Sequence, residues 1–267
     1  MTGHGGGPAL LGLREQLQGR LGRMIRDRVA GEDAVERAGR IWDTPGERWF
    51  TPTDPVWRVH SDAAMFPGGL AALLLQSLHP LAMAGVAGHS GYRGDPWGRL
   101  QRTSDYLATT TFGTVADAEA VIDRVRRVHQ RVRGRDDRGR AYRADDPELL
   151  TWVHLAELDS FLAAYQVYAA TPLTATEADV YVAQAGVAAR LLGVPDPPTT
   201  RSELQQRLDA YRPDLEVTAA ARDAATFLLR EAPLPQAARL GYAGLAAGAV
   251  VLLPSWARDM LGLRGPG

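Results

Sequence analysis

The sequence predicts an all-α protein, and three observations carry that prediction. Alternating β-branched runs bounded by tight turns, the signature of strands, are almost absent. Helix-starting devices, Thr or Asp just ahead of an apolar stripe, recur along the chain. No low-complexity linker and no internal repeat divides it, so residues 20–267 read as one helical domain behind a flexible, Gly-rich lead-in at residues 1–19. A chain of 267 residues can bury a sizeable core, roughly 75% of its unfolded surface.

Taken in order, Leu21 to Arg40 reads as a polar helix, and "WDTPGERWFTPTDPVW", with prolines at 45, 52 and 55, as an ordered but irregular connector. An apolar helix is expected from about Gly69 to Leu78, interrupted by Pro80, which lacks the N–H that a helix interior needs. The next spans roughly Arg99 to Thr111 and stops at Gly113. Thr114 is then a natural N-cap, with Asp117 in the first turn, for a helix running to Gly134 as its terminal glycine. Asp146-Pro147-Glu148 starts another with proline at the first position, continuing to about Ala170. Thr174 with Glu177 forms a capping box for a helix ending near Gly193, and Thr200 with Glu203 repeats it. A last pair covers Thr218 to Arg230 and Pro235 to Leu252.

Composition excludes several chemistries. All 30 basic residues are arginine, so Schiff-base and P-loop mechanisms, which need lysine, are out. The absence of cysteine removes thiol nucleophiles, Cys-ligated zinc, thiolate-ligated haem and covalent haem attachment. A net charge of −1 lacks the footprint of a nucleic-acid binder. The N-terminus has neither the basic nor the apolar region of a secretory leader, which makes the cytoplasm the expected compartment. Two uncharged runs, Gly68 to Gly88 and Leu240 to Leu253, read as buried core helices. The first holds Gln76 and a His79-Pro80 break, and the second is too short to span a bilayer.

The residue that asks for an explanation is His129, in "RVRRVHQRVRG". Ala118, Ile122, Val125, His129 and Val132 fall at spacings of four, three, four and three, one helical stripe, so the imidazole faces the core, with Arg133 flanking it. A buried imidazole must give its nitrogens partners or lose a few kcal/mol for each unpaired group. A hydrogen-bonded core histidine and a metal-ligating one both satisfy that demand. His154 in "LLTWVHLAELDSFLAAY" repeats the pattern with Leu158, Phe161 and Tyr165; it lines the same pocket or simply packs. His79 sits at a helix break, His89 in a Gly-rich turn, and His4 and His60 in no informative context. "GHSGY" (Gly88 to Tyr92) lacks the second glycine and the preceding strand of a nucleophile elbow. His154 to Glu157 gives the di-iron Glu-x-x-His order reversed and only once.

Read together, "GGLAALLLQSLHPLAMAGVAGHSGYRGDPWGRLQRTSDYL", "VRRVHQRVRG", "LLTWVHLAELDSFLAAY" and "LLPSWARDMLGL" resemble the rubber oxygenases (latex clearing protein) and MpaB-type oxygenases over most of Trp57 to Leu263. The resemblance implies an all-α fold with a globin-like core, extra helices and non-covalently bound haem b. The family's Arg-x-x-(basic)-Thr pattern matches Arg99, Arg102 and Thr103, and its His-x-x-x-Arg pattern matches His129 and Arg133. On that reading His129 is the proximal iron ligand, Arg99, Thr103 and Arg133 bind the haem, and His154 belongs to the cofactor pocket. Rubber-cleaving relatives can carry lysine where Arg102 stands. A guanidinium stays protonated and does not ligate iron, so the expected haem is five-coordinate, water-bound or ligated by another histidine. Only Asp95 lies near the place of an acidic distal base, which speaks against polymer cleavage.

The function implied is a haem-dependent oxygenase that activates dioxygen to oxidise a hydrophobic small molecule, an unsaturated isoprenoid or another lipid-like compound, with Arg102 and His89 as distal hydrogen-bond donors. A peroxide-dependent haem oxidase and a non-enzymatic haem- or lipid-binding helical protein are the competing readings. The partners expected are that substrate and dioxygen, with peripheral membrane contact left open.

Overall fold

The computed structural model describes residues 34–89 and 93–263. The expected lead-in and most of the helix expected from Leu21 lie outside the described residues; the described part of that helix is α1 (Ala34–Asp43). The Trp42 to Trp57 connector is irregular but held. The Arg48 guanidinium donates to the carbonyls of Ile41 and Phe112 at 3.1 and 2.7 Å, and Trp42 stacks on Phe112 with ring centroids 5.0 Å apart. From its last residues α2 (Pro55–Ser61) begins, with proline in its first turn.

The apolar helix starts earlier than its periodicity suggests. α3 (Met65–Gln76) follows a turn in which Asp62 accepts the Ala64 N–H at 2.7 Å, and Pro67 falls in the first turn, where no intrahelical N–H is needed. Pro80 does not kink this helix but opens a separate one, α4 (Pro80–His89), at 108° to it. Among the described residues no single helix is long and apolar enough to cross a membrane. α5 (Pro96–Phe112) begins three residues before the expected Arg99. Asp95-Pro96 is the same Asp-Pro start as Asp146-Pro147, and the Asp95 carboxylate accepts the Gly98 N–H.

α6 (Val115–His129) has the expected Thr114 cap but ends five residues short of Gly134. After His129 the backbone tightens, with Arg131 N–H to Val128 O and Val132 N–H to His129 O, and the chain then extends. β1 (Arg133–Arg135) pairs antiparallel with β2 (Ala141–Arg143), placing Gly134 opposite Tyr142. Gly134 is thus not a helix-terminal glycine. A Cβ there would lie 2.7 Å from Cζ of Tyr142, and the glycine leaves room for that buried ring. This two-stranded hairpin is the one sheet among the described residues, and the protein is all-α as expected.

α7 (Pro147–Tyr168) and α8 (Ala175–Leu192) follow as expected, with Asp146 capping the first and the full Thr174–Glu177 box starting the second. α9 (Arg201–Tyr211) has half a box: Thr200 accepts the Glu203 N–H, but the Glu203 carboxylate takes the Thr199 N–H instead. α10 (Ala219–Thr226) widens into a π-helical turn at Phe227–Glu231. α11 (Gln236–Leu252) ends at Leu253-Pro254, and one more short helix, α12 (Ser255–Leu261), follows.

The centre of the core is the contact of α3 with α7. Every fourth residue on one side of α7, namely Trp152, Ala156, Ser160 and Ala164, is sealed from solvent. A Cβ added at Gly68 of α3 would sit 3.0 Å from that of Ala164, so the two backbones approach as closely as small residues allow. The Trp152 indole N–H donates to Gln76 O at 3.1 Å and ties α7 to the last turn of α3. α11 packs on α3 and also touches α7, while α5 and α6 pack on each other and on α2 and α8 respectively.

Candidate functional site

The other side of α7 is different. Leu150, His154, Glu157 and Phe161 form a second stripe about a third of a turn round the helix, and α7 makes no comparably close backbone approach to α5 or α6. His154 and Glu157 lie deep among protein atoms, and yet both side chains stay only half-buried. Tyr106 on α5 and His60 on α2 share that condition.

Two buried polar atoms are unmet. Nδ1 of His129, at the end of α6, and Nε2 of His154 are buried without a hydrogen-bond partner, the two such side-chain atoms among the described residues. Burial keeps both imidazoles neutral, lowering His154 to about 4 and moving His129 in the same direction against the weaker pull of Asp145. A satisfied core histidine would have found a carbonyl. Each of these instead carries an unpaired nitrogen, a cost of about 1–3 kcal/mol that persists where a ligand is to supply the partner. Among the described residues no three His, Asp or Glu side chains converge as a metal-ion site.

The other residues singled out from sequence lie at or near the surface. Arg102 is exposed and pairs with the exposed Asp95 at 3.2 Å. Thr103 Oγ donates to Arg99 O at 3.1 Å, back along α5, and Arg99 is half-buried. Arg133 lies on β1, not on the helix that carries His129. Its side chain is exposed and Nε donates to Gln130 O at 2.9 Å, because the helix ends before the turn that would have stacked it under His129. His89, exposed at the end of α4, donates from Nε2 to the Arg133 carbonyl at 3.1 Å and meets Tyr142 edge-on. His89 and Arg133 are brought together, and Arg102 and Thr103 share one helix.

Sequence reasoning missed the polar cluster behind the stripe. His60 is not incidental. Its Nδ1 is 2.7 Å from Thr111 Oγ and its Nε2 is 3.5 Å from the Tyr181 hydroxyl, with Phe161 edge-on beside it. Burial holds His60 neutral, at about 4, and pushes the Tyr181 and Tyr106 hydroxyls up, helped in both by the nearby Glu157. Glu157 itself has no ion-pair or hydrogen-bond partner among the described residues, and burial raises its carboxyl to about 7. The available signal was a lone acid three residues after His154 on an apolar face. His60 follows the buried Val56 by one helical turn.

A family model described as "ER-bound oxygenase mpaB/B'/Rubber oxygenase, catalytic domain" matches residues 57–267. No curated protein and no solved structure matches.

Proposed function

Because the chain belongs to the MpaB/rubber oxygenase catalytic-domain family, we propose that it is a haem b-dependent oxygenase acting on a hydrophobic small molecule. The observation that carries the reading is the buried, unpartnered nitrogen of His129, matched by that of His154. One imidazole is what a haem iron takes from a protein of this class, and a neutral ring, as burial enforces here, is the ligating form. When bound, haem supplies an iron centre able to activate dioxygen toward an electron-rich carbon.

The chain's own residues then divide the remaining work. His129, at the end of α6, would supply the imidazole that holds the cofactor, and His154 would offer a second unpaired nitrogen from α7. Leu150 and Phe161, before and after His154 on the same stripe, are buried and fix the position of the helix, Leu150 against Ala189 and Val194 and Phe161 beside His60. Arg99, Arg102, Thr103 and Arg133, at or near the surface, would serve as donors for the two carboxylates of the cofactor. Arg102 would exchange its exposed partner Asp95 for a propionate at little cost, since an open pair of this kind is worth about 0–1 kcal/mol. His89 is held at the hairpin through the Arg133 carbonyl, and would serve as a donor near the opening.

The test is the absorption spectrum of purified protein titrated with haem, beside His129→Ala. A Soret band that the substitution abolishes or shifts supports ligation, and turnover of unsaturated apolar compounds under dioxygen plus reductant, compared with peroxide, then identifies the oxidant. A wild type that takes up no haem overturns the reading.

A further inference from the structure

We propose that the cavity where α7, α9 and α11 meet binds an amphiphile with a zwitterionic head, its ammonium held by Asp159 and its anion by Arg201, and its apolar chain laid along the outer face of α11. The site lies on a third face of α7, away from His129 and His154, and does not depend on the haem reading.

The cavity measures about 210 Å³. Leu162, Leu204 and Leu252 line it from buried positions, and Val167 and Val251 line it from exposed ones, which places the mouth on their side. Asp159, Arg201 and Gln205 bring polar atoms to the same space. Oδ1 of Asp159 accepts from Gln205 Nε2 at 2.6 Å, and its Oδ2 meets no donor among the described residues. Arg201 acts on Asp159 through space without forming an ion pair with it. Its guanidinium has no hydrogen-bond or ion-pair partner among the described residues; only its backbone N–H is engaged, donating to Asp179 at 2.8 Å. Gln166, also in the wall, is already committed, because both ends of its amide are bonded to the Leu173 backbone.

Two opposite charges therefore line one apolar cavity, each with bonding capacity left over. Burial pushes the Asp159 carboxyl up to about 6, against the pull of Gln205 and Arg201, so at neutral pH it is a carboxylate with less compensation than an exposed one has. An ammonium donating to Oδ2, with Gln205 Oε1 as a second acceptor, supplies what is missing. A ligand carrying only the ammonium would also meet the Arg201 charge. An anion beside it turns that repulsion into a second contact, which is why a zwitterion fits better than either single charge.

The place of the apolar chain follows from Val251. That residue stands at the mouth and also ends a stripe on α11, namely Leu240, Gly244, Ala247 and Val251, at spacings of four, three and four. All four are exposed, Leu240 to 86%. The stripe runs for about 16 Å with no charged side chain between its ends, so the cavity opens onto continuous apolar surface.

The experiment is calorimetric titration of the full chain with monomeric lysophosphatidylethanolamine, lysophosphatidic acid, which lacks the ammonium, and dodecylamine, which lacks the anion. Wild type, Asp159→Asn, Arg201→Gln and Val251→Asp are compared. The asparagine keeps an acceptor for Gln205, and positions 201 and 251 are exposed. Wild type is expected to bind the zwitterion about tenfold or more tighter than either other probe. Asp159→Asn and Arg201→Gln should each remove about tenfold of that, the first also weakening dodecylamine and the second lysophosphatidic acid, while Val251→Asp weakens all three. If Asp159→Asn does not fold, Arg201→Gln decides. Equal affinity for the three probes, or wild-type affinity for the zwitterion in either charge variant, overturns the proposal. So does binding to phosphatidylethanolamine vesicles without binding of the monomer, which would make the α11 stripe a bilayer contact instead.

Discussion

The two sides of helix α7 are built to opposite rules. The side that meets α3 is filled by Trp152, Ala156, Ser160 and Ala164, with Gly68 opposite, and its one indole N–H has found a carbonyl. The face about a third of a turn away carries His154, whose Nε2 is buried without a partner, and the half-buried Glu157. A single helix of 22 residues thus serves as the spine of the core and as one wall of the candidate site. The difference teaches where stability is made and where it is given up: the packed side over-determines the position of the helix, which lets the open side hold polar groups that no core would tolerate.

Substitutions should separate the two sides by sign. The largest effect is expected on the packed side. Trp152→Ala removes a fully buried ring and strands the Gln76 carbonyl, and should cost about 3–5 kcal/mol in denaturant unfolding. A loss under about 1 kcal/mol would contradict the role given to this contact. On the open side the sign reverses. The folded Glu157 carboxyl titrates at about 7 against 4.5 for an unperturbed one, so the folded state binds the proton more tightly than the unfolded state. Its contribution to stability is full below about pH 4.5 and lost as pH rises through about 7. Glu157→Gln should therefore make the empty protein more stable at about pH 8, by on the order of 3 kcal/mol, with the advantage vanishing toward pH 4.5.

His154 works at the other end of the scale. Its folded value of about 4 lies below the unperturbed 6.5, so its burial stabilises nothing once the pH falls: stability drops as pH goes from about 6.5 toward 4. His154→Leu should lift mid-range stability by about 1–2 kcal/mol by removing the unpaired nitrogen, and should soften the acid transition seen by circular dichroism. An unchanged acid midpoint would show that the imidazole finds a partner in solution. At the rim the effect should nearly vanish. Arg102→Ala breaks an exposed pair and is expected to move stability by less than about 0.5 kcal/mol. Any larger shift would mean that the rim shares the architecture of the packed side.

How much of this could be read from the chain follows from which signals are local. Thr114, Asp146-Pro147 and Thr174 with Glu177 announce their helices because a cap acts within three residues of itself. The inward aim of His129 was legible for the same reason, since Ala118, Ile122 and His129 share one helical face. The position of Arg133 was not, because that inference needed the helix to continue. The helix stops where the hairpin begins, and the hairpin is specified by the fit of Tyr142 against Gly134, eight residues earlier in the chain and directly opposite it in register. His60 was invisible for a related reason. Its partners Thr111 and Tyr181 stand on two other helices, and no local pattern marks a meeting that only the assembled fold creates.

Gly134 and Tyr142 also bear on how such a chain can change over generations. A side chain of any size at position 134 collides with the phenol ring across the hairpin, and a tyrosine at position 142 requires bare backbone opposite it. The two positions therefore form one heritable unit. Across diverged relatives they are expected to be replaced together, a larger residue at one accompanied by a smaller residue at the other, while the exposed Arg133 and Arg135 on either side drift independently. Since His129 precedes this unit by only five residues, drift at the hairpin is also the shortest mutational route to re-aiming the imidazole.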